Sequence, residues 1–106
     1  MNLTGQTVTP KQSRCVSKAI RDSAKGEQCA ARMSWCNRNP ETTVFCHIRK
    51  FGLAGFAIKP QDFHGFYGCS ECHRREAEMG FEDLLRAMME TQTKLYEKNL
   101  LTVATR

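Results

Sequence analysis

Four of the six cysteines in this 106-residue sequence occur as two pairs, and this feature constrains the fold more than any other. Two residues separate Cys69 from Cys72, and six separate Cys29 from Cys36. A Cys-x-x-Cys pair closes a tight turn around a metal, and a second pair from a distant segment completes the tetrahedral set of thiolates that zinc prefers. We therefore predict that these four cysteines hold one structural zinc ion.

Other interpretations of the cysteines are possible. All of them could serve only as small buried hydrophobes. Cys15 and Cys46 are interpreted as free thiols, and either is an alternative to Cys36 as the fourth ligand. The stretch Cys69–His73 also matches the attachment signature of a c-type haem, but that chemistry normally requires export and gives Cys29 no role.

The length and composition favour one small domain. We expect a polar, flexible tail over residues 1–9 and a single domain over residues 10–106. No stretch approaches the roughly 18 apolar residues of a membrane-spanning helix, and the N-terminus lacks the basic and apolar regions of a secretory signal. The expectation is a cytoplasmic protein with no membrane partner. In such a reducing compartment, closely spaced cysteines more often bind metal than form disulfides.

The pattern of residue types predicts an α+β fold with a helix at each end. Thr9 and Pro10 form a capping signal for a helix over residues 10–25. The β-branched and aromatic stretch 42–48 predicts a strand, and residues 66–67 predict a short returning strand. A short helical turn is expected after Cys72.

The last third of the chain predicts an amphipathic helix after a break at Gly80. Its apolar residues recur near the 3.6-residue helical period, at Phe81, Leu84, Leu85, Met88, Leu95 and Tyr96. One face of this helix is therefore expected to pack against the core or against a partner.

The positive charge is concentrated in the first half of the chain. Residues 1–59 contain ten basic and three acidic residues, and the whole chain has a formal net charge of +5. A basic surface of this kind attracts polyanions, although it can also be only a solvated face. The predicted phosphate contacts are Arg14, Lys18, Arg21, Lys25, Arg49 and Lys50.

Two of the three histidines occupy positions that suggest catalysis. His47 lies near the end of the predicted strand, and His73 directly follows a predicted zinc ligand. A strand ending in histidine, a loop, and then Cys-x-x-Cys-His opening a helix is the order expected of a ββα-metal nuclease. In that chemistry one imidazole deprotonates water and a second binds a divalent metal. The alternative is that both histidines are structural.

Five motifs resemble, in order, those of the small YbcO-type proteins of lambdoid phages and prophages, within the HNH (His-Me finger) nucleases. They are Gly26-Glu27-Gln28-Cys29, Asn39-Pro40-Glu41-Thr42-Thr43-Val44, His47-Ile48-Arg49, Lys59-Pro60-Gln61-Asp62 and Cys69-Ser70-Glu71-Cys72-His73. The resemblance implies a metal-dependent DNA endonuclease built on an HNH-like ββα-metal domain, with His47 as general base, His73 as catalytic-metal ligand and the paired cysteines as the structural zinc site. The catalytic metal would be a divalent cation such as Mg²⁺ or Mn²⁺.

The sequence departs from this family pattern at the second catalytic-metal ligand. Many HNH nucleases have an acidic residue immediately before the base, where this chain has Cys46. We predict Asp62 as the second ligand because a carboxylate suits a hard cation, with His64 and Glu76 as the alternatives. If no second ligand exists, the alternative function is a non-catalytic zinc module that binds DNA or a phage or host recombination protein.

Overall fold

The computed structural model describes residues 13–49 and 59–104. The elements, in chain order, are α1 (Lys18–Asp22), β1 (Val44–His47), β2 (Gly65–Gly68), α2 (Ser70–Arg74) and α3 (Phe81–Glu97). Two short 3-10 turns, Pro40–Thr42 and Glu76–Glu78, precede β1 and follow α2. The predicted small α+β architecture is confirmed.

The N-terminal helix is much shorter than predicted. Thr9 and Pro10 lie outside the described residues, and residues 13–17 are not helical. Ser17 caps α1 by accepting a hydrogen bond from the Ile20 amide at 3.1 Å, and the helix ends at Asp22 instead of residue 25. The segment before it runs beside residues 61–62, because the Asp62 amide donates to the carbonyl of Cys15 at 3.1 Å. A helix over residues 13–17 would break this hydrogen bond and those that the Cys15 and Ser17 amides donate to the side chains of Gln61 and Asp62.

Both predicted strands are present and form an antiparallel pair. The register places Val44 opposite Gly68 and His47 opposite Gly65. The first strand is shorter than predicted because Thr42 belongs to the 3-10 turn that Asn39 caps. The sheet therefore brings the predicted general base to one end and the start of α2 to the other.

Helix α3 covers the two-stranded sheet through a face that overlaps the predicted one only in part, at Leu84, Met88 and Leu95. Its buried residues are Leu84, Ala87, Thr91 and Leu95, while Phe81, Leu85 and Tyr96 are exposed. The Thr91 hydroxyl accepts a hydrogen bond from the Tyr67 amide at 2.9 Å. The apolar pattern missed Ala87 and Thr91 because a small alanine and a polar threonine do not stand out as core residues.

Among the residues that the structure describes, no helix has the length and apolar character needed to cross a membrane.

Candidate functional site

The four predicted zinc ligands lie together. The sulfur atoms of Cys29, Cys36, Cys69 and Cys72 are all within 4.8 Å of one another, and three of these residues are buried while Cys36 is half-buried. The Cys36 and Cys69 sulfurs are 3.7 Å apart. Sulfurs around a tetrahedral zinc, with Zn–S near 2.3 Å, lie about 3.8 Å apart. The four cysteines are thus positioned to hold a metal ion, and neither Cys15 nor Cys46 belongs to the cluster.

Helix α2 begins inside this cluster, earlier than the predicted turn after Cys72. Cys69 is its N-cap, and the Cys72 amide donates to the Cys69 sulfur at 3.4 Å. Burial raises the pKa of the Cys69 thiol, but amide donors from Cys72 and Asn37 and neighbouring thiols outweigh burial and lower the pKa to about 7. Amide dipoles at the helix start therefore favour the thiolate form that binds metal.

Helix α3 supports the loop that carries the first cysteine pair. Arg86 donates to the carbonyls of Ala30 and Ala31 at 2.8 and 2.7 Å. Arg32, whose φ is 48°, forms a bidentate pair with Glu90 at 2.7 and 2.8 Å. Sequence reasoning missed Arg86 and Glu90, since a polar helix position gives no sign of which loop it contacts.

The Asn-Pro-Glu-Thr-Thr motif has a structural explanation. Asn39 caps the 3-10 turn through the Glu41 amide at 3.1 Å, and the Thr42 hydroxyl accepts from the Ser70 amide at 3.2 Å. Asn37 donates to the Ser70 hydroxyl at 2.9 Å. These contacts join the segment before β1 to the first residue of α2.

His47 is held at the end of β1 by two different kinds of contact. Its Nε2 is 3.0 Å from Asp62 Oδ1, and its side chain is 16% exposed. The Phe45 ring packs beside it with centroids 5.2 Å apart. Gly65 leaves room for that ring, because a Cβ there would lie 2.4 Å from a Phe45 ring carbon. The imidazole is therefore fixed but still reaches the surface.

Burial lowers the pKa of His47 below the 6.5 of a free imidazole. The charge and hydrogen bond of Asp62 oppose this effect, while Arg49 and Arg21 lower the pKa further. The imidazole is consequently neutral at pH 7 and able to accept a proton.

Glu76 contacts His73 and lines a cleft that His47 also lines. His73 Nδ1 is 3.4 Å from Glu76 Oε1, and Glu76 lines a cleft of about 180 Å³ together with His47, Arg49 and Leu84. The structure thus brings one of the three alternative metal ligands next to His73 and to the same cleft as His47.

The other two alternatives have different surroundings. Asp62 is 2% exposed and contacts His47 directly. Its role as the second catalytic-metal ligand stays a prediction. The ring of His64 packs against Phe63 with centroids 4.6 Å apart. His64 is not among the described residues that line either cleft next to His47.

A second cleft, of about 340 Å³, lies on another side of His47 and is strongly basic. Its lining comprises Arg14, Val16, Arg21, His47, Arg49, Lys59, Pro60 and Asp62. Three predicted phosphate contacts therefore meet at the histidine. Lys59 was not among the predicted phosphate contacts, although it is the first residue of the Lys59-Pro60-Gln61-Asp62 motif.

The remaining predicted phosphate contacts are elsewhere. Lys18 pairs with Asp22 on an exposed helix face. Lys25 lines a neighbouring groove with Arg21 and Phe45, and Lys50 lies outside the described residues.

Cys46, which precedes His47, is a core residue. Its side chain is fully buried, and a Cβ at Gly68 would lie 2.9 Å from its sulfur. Burial raises the pKa of this thiol well above its usual range. The thiol therefore faces the core, away from the surface that His47 reaches.

Residues 18–101 match the model of a protein family described as "Putative nuclease YbcO". The chain belongs to the YbcO family. Two YbcO relatives, both named putative nucleases, come from Escherichia coli K12 and from Enterobacteria phage 82. Each is 46% identical over 55 residues, which cover 51% of this chain and 57% of the relative. The chain thus spans just over half the length of these curated YbcO proteins.

A solved structure is also similar to this YbcO-family chain. It is described as a putative bacteriophage protein from Escherichia coli K-12 MG1655. It has a TM-score of 0.60 at 31% identity and covers 76% of this chain and 100% of its own. The resemblance to the YbcO family predicted from the motifs is confirmed.

One quoted motif of this YbcO-family chain, Lys59-Pro60-Gln61-Asp62, attaches the N-terminal segment to the site. The Arg14 guanidinium donates to the Pro60 carbonyl at 3.2 Å. The side-chain amide of Gln61 donates to the Ser13 carbonyl at 2.9 Å. Asp62 accepts from the Ser17 amide at 2.6 Å. The motif therefore positions Arg14 in the basic cleft as well as contacting His47.

Proposed function

We propose that this chain is a metal-dependent DNA endonuclease of the HNH-like ββα-metal type with a structural zinc ion. The observation that carries the proposal is the single cleft lined by His47 and Glu76, with His73 in contact with Glu76. This cleft is formed by β1 and by the segment that follows α2, which is the order of elements expected of the ββα-metal class. The nuclease names of the YbcO relatives support the same chemistry.

Zinc at the four cysteines would be structural. All four positions are thiols, which leaves no open coordination site for water or substrate. Cys72 and His73 are adjacent in α2, so the bound zinc ion would fix the position of His73.

His47 is proposed as the general base. Its neutral imidazole accepts a proton from a water molecule that attacks the scissile phosphate. The base and the metal ligand must be different residues, because a metal-bound nitrogen has no lone pair left for the proton. His47 contacts Asp62, whereas His73 contacts Glu76. Two histidines with different partners suit the separate roles of general base and metal ligand.

His73 and Glu76 are proposed to hold the catalytic divalent cation, such as Mg²⁺ or Mn²⁺. A cation there would stabilise the negative charge that develops on the phosphate oxygens. Glu76 is favoured over His64 because its carboxylate is 3.4 Å from His73 Nδ1 and suits a hard cation. It is favoured over Asp62 because the Asp62 carboxylate is buried and contacts His47, the proposed base.

The basic cleft is proposed to bind the DNA backbone beside His47. Arg49 and Lys59 both line this cleft. Arg14 and Arg21 complete the positive wall. Phosphate contacts of this kind position DNA without reading its sequence.

The contribution of this cleft can be measured through salt dependence. Each lost phosphate contact should lower the slope of log affinity against log salt by about 0.9. We expect Arg49→Gln and Lys59→Gln each to weaken DNA binding and to flatten the slope by this amount, in fluorescence anisotropy titrations with duplexes of two unrelated sequences. Lys94→Gln, the same change on α3 outside the cleft, is the matched control. Equal slopes in all four proteins would contradict the assignment.

The activity itself is tested by incubating the purified, zinc-loaded protein with supercoiled plasmid. We expect nicking with added magnesium or manganese and none in their absence, because His73 and Glu76 need the cation to act. DNA binding without nicking under any metal would instead support the non-catalytic zinc module, whose partner would be DNA or a recombination protein.

A further inference from the structure

The buried carboxylate of Asp62 has a specific set of partners. Its Oδ2 accepts from the Ser17 amide at 2.6 Å and is 3.3 Å from Arg21 Nε. Its Oδ1 is 3.0 Å from His47 Nε2. The side chain is 2% exposed, so these protein groups take the place of most of its water.

The two partners of Oδ2 can only donate hydrogen bonds. A backbone amide and a guanidinium have no acceptor atom, and an ionised carboxylate has no proton to donate. Oδ1 must therefore also accept, and its partner His47 must donate from Nε2. The neutral imidazole that satisfies this arrangement has its proton on Nε2 and a lone pair on Nδ1.

We propose that Asp62 is a positioning residue that holds His47 in the Nε2-protonated tautomer and makes Nδ1 the nitrogen that receives the proton from water. The catalytic part of this inference rests on the proposed function, whereas the tautomer does not. Asp62 is thereby assigned a role other than metal ligation.

The N-terminal segment and the sheet together make this arrangement rigid. Ser17 is the N-cap of α1 and Arg21 lies within that helix, and both contact the carboxylate through Oδ2, the oxygen that does not contact His47. The Phe45 ring contacts the imidazole within the same strand. Rotation of the imidazole would therefore break the Asp62 hydrogen bond and disturb this packing.

The tautomer can be read directly by long-range ¹H–¹⁵N NMR of the zinc-loaded protein with ¹⁵N-labelled histidine, at about pH 8, where imidazole is neutral. The chain has three histidines, so His64→Gln and His73→Gln spectra assign the signals. We expect a protonated Nε2 on His47 in the wild-type protein. A protonated Nδ1 would overturn the proposal, and this measurement requires no change at the buried Asp62.

Asp62→Asn supplies the second measurement. The one amide oxygen should face the donors Ser17 and Arg21, so the amide NH₂ would donate to His47 Nε2 and move the imidazole proton to Nδ1. We expect the NMR pattern of His47 to invert. Nicking should fall about 10²- to 10⁴-fold, the range typical of a lost or wrongly protonated base. An unchanged pattern in the folded variant would overturn the proposal.

Nicking at high magnesium or manganese concentration distinguishes a positioning role of Asp62 from a role as metal ligand. Nicking by Asp62→Asn should stay low at saturating magnesium or manganese, whereas recovery at high metal would identify Asp62 as a ligand and overturn the proposal. Asp83→Asn, an exposed carboxylate on α3, is the matched control and should leave the His47 tautomer and nicking unchanged. If the wild-type protein does not nick DNA, the proposed function fails, but the tautomer experiment still decides the role of Asp62.

Discussion

Cys72→Ser should unfold the domain instead of only inhibiting it. Cys72 is fully buried, and the four-cysteine cluster joins the segment before β1 to the start of α2. Structural zinc contributes about 10–16 kcal/mol of apparent binding free energy in zinc-finger peptides, as much as the entire 5–15 kcal/mol free energy of unfolding of a typical domain. We expect loss of the cooperative thermal transition in circular dichroism, and elemental analysis should find one zinc per wild-type chain and none in the variant.

The matched control is Cys15→Ser, because Cys15 lies outside the cluster. It should retain one zinc and a melting temperature close to that of the wild type. A strong chelator should reproduce the effect of Cys72→Ser on the wild-type protein. An intact thermal transition after complete zinc removal would show that the cysteines are only small core residues.

His47→Ala should abolish nicking while the protein keeps its zinc and its fold. The imidazole lies at the end of β1 and outside the four-cysteine cluster, so its removal should leave zinc binding intact. The loss of a positioned general base typically lowers the rate by about two to four orders of magnitude. The measurement is the nicking rate at saturating metal, together with melting temperature and DNA affinity, both of which should stay near wild-type values.

His73→Ala should also lose nicking, but through weaker binding of the catalytic cation, so excess metal should partly restore its activity and not that of His47→Ala. His64→Gln is the matched histidine control, because His64 packs on Phe63 and is not among the described residues that line either cleft. Equal residual nicking in wild type and His47→Ala would reveal a contaminating nuclease and refute the assignment of the base.

The short helix α2 links the prediction on zinc binding to the predictions on nicking. Its first turn contributes Cys72 to the four-cysteine cluster, and the next residue is His73. Zinc loss should therefore abolish nicking even where His47 and its contact with Asp62 are unchanged in sequence. Activity in zinc-free protein would mean that the helix is held by other contacts.

Local sequence determined both strands, the C-terminal helix and the cysteine cluster. The β-branched stretch before His47 forms β1, and the Cys69 and Cys72 sulfurs lie close together because their spacing closes a single helical turn. Such features depend on neighbours a few residues apart, whose geometry the backbone imposes in any fold. The family resemblance was carried by the same short motifs.

Only the tertiary structure decided which side chains meet. The contact of Asp62 with His47 and Ser17 joins residues 15 and 45 positions apart, and Arg86 reaches a loop 56 positions away. The N-terminal helix was predicted too long for the same reason: its propensity competed with hydrogen bonds to Gln61 and Asp62 that form only once the chain has folded. Propensity and spacing are local quantities, whereas these hydrogen bonds exist only because packing of the sheet, α1 and α3 brings distant donors and acceptors together out of water.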